Sequence, residues 1–252
     1  MLELDNISVC YGNNQILKDI SAKIERGRLV SIIGVNGCGK STLLKAVLGI
    51  LPLSCGNILI DDENISEMSR NAIAKKIAYL AQGKSTPDMT VEQLVLHGRF
   101  PYLSYPRRYS KNDRDVAFLS MQQLKITEYA DSSLTTLSGG IRQKAYIAMS
   151  LAQDTDYILL DEPTTYLDIT HQLELMKNLR LLAEKGKGII TVMHDLPMAF
   201  DFSDEIILIK DGKIAIHSTP KDICNTSIIN DVYGISLKYS KTENKYFYQY
   251  FV

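Results

Sequence analysis

The amino-acid sequence predicts an α/β fold built on a mostly parallel sheet, and three observations carry that expectation. Short apolar, β-rich runs alternate with helix-like patterns along most of the chain. Four of these runs stop at a polar residue or a glycine. A glycine-rich stretch sits between one of them and a helix-like segment.

The four runs are 29–33 (LVSII), ending at Gly34; 77–81 (IAYLA), ending at Gln82; 157–160 (YILL), ending at Asp161 and Glu162; and 189–193 (IITVM), ending at His194. Short apolar runs of this kind suit strands buried on both faces. Ligands of parallel α/β sheets bind beyond the carboxyl ends of the strands, so these polar residues converge on one predicted site. Between 86 and 154 the pattern turns helical, with candidates at 91–97, 111–124 and 140–152, and reads as an insertion into the sheet domain. Amphipathic, antiparallel strands are expected at 2–10 and 16–24 and again at 205–210 and 213–217, with Asp211-Gly212 as a hairpin turn. The tail from about Leu237, rich in Tyr and Lys, reads as a terminal hairpin or edge strand. The expected organisation is one domain over 1–236, with core segments 1–85 and 155–220, a helical subdomain 86–154, and a tail 237–252.

Bulk properties exclude several functions. The 252 residues carry 28 basic and 29 acidic side chains, so no net field attracts nucleic acid. Cys10, Cys38, Cys55 and Cys224 are scattered with no Cys-x-x-Cys pair, which argues against a disulfide framework or zinc site. Glu3 and Asp5 stand where a signal peptide needs a basic and then apolar run. No stretch approaches the ~20 apolar residues of a membrane span. A cytoplasmic protein that meets a membrane only through a partner is expected.

Gly34-Val35-Asn36-Gly37-Cys38-Gly39-Lys40-Ser41-Thr42 matches the P-loop pattern between a strand and a helix expected at 43–49. Its glycines let backbone N–H groups turn toward phosphate oxygens, and the helix N-terminus adds partial positive charge. Lys40 can reach the β- and γ-phosphates of ATP, and the Ser41 hydroxyl can ligate Mg²⁺. Asp161 after its strand would hold the magnesium and Glu162 would polarise the attacking water. Cys38, inside the loop, is expected to make activity sensitive to thiol alkylation with ATP protecting; a buried, inert thiol is the plainer alternative.

Leu137-Ser138-Gly139-Gly140-Ile141-Arg142-Gln143 opens a helix and resembles the signature loop of the ABC ATPases. The resemblance implies a RecA-like core with an antiparallel β subdomain and a helical insertion. It extends to Tyr11, similar to the aromatic that stacks on adenine; to Gln82, similar to the Q-loop glutamine that contacts Mg²⁺ or water; to Thr165-Tyr166-Leu167-Asp168, similar to the D-loop; and to His194, similar to the switch histidine near the γ-phosphate. Taken singly, Tyr11 is also ordinary strand packing, Gln82 a surface residue and His194 a helix-start residue. The segments HGRFPY (97–102), IAMSLAQD (147–154), DEPTTYLDITHQ (161–172) and MHDLPMAF (193–200) look like the ATPases of ferric-siderophore, haem and cobalamin importers. Met149 stands where the ordinary family has Arg, as is common in that branch. Ile141, Lys144 and Pro197 depart from the usual residues.

The resemblance implies ATP and Mg²⁺ as cofactors and a head-to-tail homodimer. Each nucleotide would lie between Lys40 of one copy and Ser138, Gly139 and Gly140 of the other. It further implies two integral-membrane permease subunits, an extracytoplasmic binding protein, and a peripheral place on the inner face of the cell membrane. An ABC exporter ATPase and a soluble non-transport ABC protein are the alternatives. A single cassette without heptad runs counts against the translation and repair types.

Overall fold

The structure, a computed structural model, describes residues 1–82, 86–165, 167–240 and 245–250. Tyr166 in the D-loop-like segment and the tail residues 241–244, 251 and 252 lie outside the described residues. In chain order the first part holds β1 (Leu2–Tyr11), β2 (Asn14–Ile24), β3 (Leu29–Ile33), α1 (Lys40–Val47), β4 (Cys55–Ile60) and β5 (Glu63–Asn64). There follow α2 (Arg70–Lys76), β6 (Ile77–Leu80), α3 (Val91–His97), α4 (Lys111–Gln123), α5 (Gly139–Ala152), β7 (Tyr157–Asp161) and α6 (Ile169–Glu184). The last part holds β8 (Gly188–Val192), α7 (Leu196–Phe202), β9 (Glu205–Lys210), β10 (Lys213–Ser218), α8 (Pro220–Cys224), α9 (Ile228–Tyr233), β11 (Ile235–Ser240) and β12 (Lys245–Tyr250).

Residues 1–68 and 179–252 form one compact unit and residues 69–178 another. In the first, β3 pairs in parallel with β8 on one side and β9 on the other, and β10 returns antiparallel on β9. All five residues of β3 and all five of β8 are buried, Ser31 and Thr191 among them, as apolar-rich strands covered on both faces should be. Each buried Ile or Leu there stabilises the fold by about 1.5–3 kcal/mol relative to exposure. The β9–β10 turn is the expected one: Asp211 and Gly212 both have positive φ, 51° and 79°, the geometry of a two-residue hairpin turn. A second, antiparallel sheet runs β2-β1-β4-β5. Its strands β4 and β5 were not anticipated, because Cys55-Gly56-Asn57 opens β4 with too little alternation to mark a strand. The tail forms the antiparallel hairpin β11–β12.

In the second unit β6 and β7 pair in parallel, with Leu80 opposite Leu160. The helices start where side chains can cap them. Thr90 with Gln93 and Ser110 with Asp113 form capping boxes at α3 and α4, worth about 1 kcal/mol each. A Cβ on Gly98 would meet the Met149 carbonyl at 2.2 Å, so the end of α3 runs against α5 where only glycine fits.

Several boundaries differ from expectation, chiefly those of α1 and β7. Helix α1 begins at Lys40 rather than 43, since Gly39 at φ 108° turns the chain straight from the loop into the helix. It stops at Val47, before Gly49 at φ 64°. Strand β7 includes Asp161, whose carboxylate is buried at the strand's end rather than turned into a loop.

Candidate nucleotide site

Within the first unit, the loop after β3 is shaped by backbone rather than by side chains. A Cβ on Gly34 would lie 2.4 Å from the Ile209 carbonyl oxygen and 2.6 Å from the Cys38 sulfur. At Gly39 it would lie 2.7 Å from a Leu17 methyl. Both residues also hold positive φ, so glycine is required twice over. Lys40 is only 6% exposed, and its ammonium donates to the carbonyls of Gly34 (2.8 Å) and Val35 (3.0 Å). Ser41 and Thr42 occupy the first turn of α1, and Gly39 supplies no side-chain cap. A helix N-terminus of this kind carries the partial positive charge that favours an anion.

Beside the loop lies a cavity of about 300 Å³, lined by Asn14, Gln15, Ile16 and Lys18 of β2, by Val35, Asn36, Gly37 and Cys38, and by the Asp211-Gly212 turn. Tyr11, paired with Asn14 at the end of β1, is 49% exposed and presents an open ring face. His194 follows β8 on the same strand edge as Gly34, for the Met193 amide still bonds to the Ile32 carbonyl. It is exposed, and Asp195 rather than His194 caps α7. The Cys38 thiol is buried, and burial pushes its pKa up, with Lys40 acting weakly the other way. Less thiolate and little access argue for the inert alternative. The half-buried Tyr233 phenol of α9 faces the Gly34 amide; its pKa is raised, chiefly by burial. Nothing in the local sequence around Tyr233 marks it as a neighbour of the loop.

Within the second unit, the strand ends carry a compact acidic pair. Asp161 is 4% exposed and accepts a 3.4 Å hydrogen bond from the Tyr79 hydroxyl on β6. Burial together with the Asp161 charge lifts the Tyr79 phenol to about 12, so it remains a neutral donor. The next residue, Glu162, sits at φ 51°. Its Oε2 accepts from the Gln82 amide at 2.5 Å and from the Thr165 hydroxyl at 3.3 Å. Gln82, Asp161 and Glu162 are thus brought together as expected from their strand-end positions.

Ser138 caps α5, accepting from the Ile141 amide at 3.4 Å, and Gly139 and Gly140 form the first turn behind it. Gly140 lies beside Leu167 and His171, and His171 is bonded to Asp168 at 2.7 Å. Hydrogen bonds from His171 hold the exposed Asp168 carboxyl below its ordinary pKa. Gln143 of α5 donates to the Pro163 carbonyl at 2.9 Å, and Gln172 of α6 to the Thr164 and Leu167 carbonyls. Tyr79, Gln143, Thr165 and Gln172 are not among the expected site residues. Gln143 in the signature-like motif, and Thr165 and Gln172 in the segment 161–172, lie inside recognisable motifs; Tyr79 carries no such signal.

A glycine loop joining a buried parallel strand to a helix, with a lysine folded over its carbonyls, defines a P-loop nucleotide-binding protein. The ABC transporter family matches residues 17–165, and the chain belongs to it. Ferric enterobactin transport ATP-binding protein FepC of Escherichia coli (strain K12) is 40% identical over 233 residues, 92% of this chain and 86% of that protein. Petrobactin import ATP-binding protein FpuD of Bacillus anthracis is 39% identical over 95% of this chain and 88% of its own length. Among solved structures, one of a metal-chelate type ABC transporter in an inward-facing conformation shares the fold, with TM-score 0.83 and 24% identity over 98% of this chain and 95% of that one. The dimeric cassette MJ0796 has TM-score 0.77 and 28% identity, covering 87% of this chain and 99% of that one. The expected cassette fold stands, and the chain is an ABC-type ATPase. Among the described residues no helix is long and apolar enough to cross a membrane.

Proposed function

We propose that this chain is the ATP-hydrolysing subunit of an ABC importer for a ferric siderophore, or for haem or cobalamin, working through a separate permease. The cargo class rests on the relatives, whose names refer to petrobactin, ferric enterobactin and iron(3+)-hydroxamate import. The hydrolytic role rests on one observation above others: a carboxylate, Glu162, follows a buried strand-end aspartate and is held by two donors on one oxygen.

In this reading Tyr11 stacks on adenine, and the amides of Gly34, Asn36, Gly37, Cys38 and Gly39 with Lys40, Ser41 and Thr42 hold the phosphates. Ser41 in one unit, and Gln82 and the buried Asp161 in the other, would each offer a hard oxygen of the kind that Mg²⁺ takes together with substrate phosphates. Magnesium would supply neutralisation of phosphate charge. Water attacks the γ-phosphorus, Glu162 takes its proton, and the bond to ADP breaks. His194 supports the γ-phosphate. Ser138, Gly139 and Gly140 serve the nucleotide of a second copy in a homodimer, as the dimeric relative suggests. The dimer would sit on two permease subunits at the inner face of the cell membrane, fed by an extracytoplasmic binding protein. The chain is read as one cassette over 1–236, helical in its 86–154 subdomain, with a tail beyond.

The test is Glu162→Gln. The purified variant should bind ATP with unchanged affinity, lose about 10²- to 10⁴-fold in turnover, and elute as a dimer when ATP is present. Turnover at the wild-type rate removes Glu162 from the mechanism. A permease recovered by affinity purification from membranes, followed by iron-chelate uptake assays, tests the cargo.

A further inference from the structure

We infer that Thr165 is a positioning residue for the general base: its hydroxyl fixes the rotation of the Glu162 carboxylate. The inference rests on the reading of Glu162 as that base. The terminal torsion of a glutamate is broad and roughly two-fold, so packing alone does not orient the carboxylate plane. A base must nevertheless present one oxygen along the direction of the departing proton. Here two donors converge on Oε2, the Gln82 amide at 2.5 Å and the Thr165 hydroxyl at 3.3 Å.

The two donors are not equivalent. Gln82 follows β6 and lies 80 positions away in sequence, so its hold depends on the path of a separate segment. Thr165 stands on the same turn as Glu162, and its backbone amide bonds to the Glu162 carbonyl at 3.2 Å. Its hydroxyl therefore remains within reach of the carboxylate whichever partner Gln82 takes.

The turn itself is over-determined. Glu162 occupies the left-handed region at φ 51°, a conformation that non-glycine residues hold only when surroundings impose it. The imposing contacts are visible: Gln143 grips the Pro163 carbonyl at 2.9 Å, and Gln172 grips those of Thr164 at 3.2 Å and Leu167 at 3.0 Å. With backbone and turn held this firmly, the carboxylate's rotation is what a side chain can still set, and among the described residues of the turn Thr165 donates to it. Orientation by a neighbour of this kind is what separates a present base from an effective one.

Thr165→Val removes the hydroxyl and keeps the shape. It should lower kcat for ATP hydrolysis by roughly tenfold, the worth of one hydrogen bond to a charged group, with KM for ATP, nucleotide affinity and melting temperature unchanged. Thr165→Ser should restore most of kcat. In the Glu162→Gln background, Thr165→Val should reduce the residual turnover no further, because the group it orients is gone. Wild-type kcat in Thr165→Val overturns the inference. So does equal loss in the Ser variant, a loss confined to KM or to melting temperature, or a second full drop in the double variant. If Glu162→Gln alone turns over normally, the base assignment falls, and the role of Thr165 falls with it.

Discussion

Residues 34–42 and residues 161–168 each follow a buried strand, and each carries part of the expected nucleotide chemistry, yet they are held in different ways. The first is held by its own backbone. Gly34 and Gly39 take conformations and close approaches closed to any other residue, and Lys40 bonds back to carbonyls five and six positions away. The second is held by side chains from elsewhere. Glutamines at 82, 143 and 172 reach it from the exit of β6, from α5 and from α6. A backbone-built site is written in consecutive residues; a side-chain-built site is assembled only when the helices pack.

That contrast predicts where each region is fragile. The largest effect should fall on the packed helices around the second stretch. Arg99 and Asp113 form a buried pair at 3.0 Å, with Arg99 also bonded to the Ala152 carbonyl and stacked 4.0 Å over the Tyr102 ring. Arg99→Ala strands a buried carboxylate and should cost about 3–5 kcal/mol of stability in urea unfolding. Burial pushes the Asp113 carboxyl up, but bonds from Ser110 and then Arg99 outweigh it and hold the pKa below the ordinary value. A depressed pKa stabilises the fold above the unfolded-state value, about 3.9, and that contribution is lost as pH falls through the lower folded value. The wild-type urea midpoint should therefore fall further across this acid window than that of Asp113→Asn, whose other carboxylates still titrate. A wild-type midpoint flat below pH 4 breaks the account.

A smaller effect is expected where the backbone already makes the site. Lys40→Ala should leave the fold intact and weaken ATP binding about 10- to 100-fold, from the ~1.5–3 kcal/mol of a charged hydrogen bond. Calorimetry with a non-hydrolysable analogue measures it, and unchanged affinity would show that the loop amides suffice. Next comes Ser138→Arg at the cap of α5. It should lower hydrolysis roughly tenfold by blocking closure of a dimer, about 1.4 kcal/mol, with binding to isolated monomers intact. Loss of monomer binding would mean that the signature-like turn serves its own nucleotide.

The smallest effect should come from Cys38. Its buried, pKa-raised thiol should react with iodoacetamide at least tenfold more slowly than the exposed Cys10 and Cys55, followed by mass spectrometry. The inhibition expected from the sequence should then appear only on long exposure. Rapid alkylation of Cys38 would restore that expectation and show that the loop opens.

The sequence by itself determined the parallel strands, the hairpin at Asp211-Gly212, the phosphate loop, and the strand-end positions of Gln82, Asp161, Glu162 and His194. Each is encoded in consecutive residues: an apolar run has one low-energy burial, and glycine is the residue that tolerates positive φ. Only the tertiary structure decided that Glu162 would be gripped by Gln82 and Thr165, that Tyr79 would cover Asp161, and that Cys38 would be buried. It also decided that β4, with its weak alternation, would pair between β1 and β5. Such contacts join residues up to 82 positions apart. They depend on which helix face meets which strand, and no local preference along the chain specifies that.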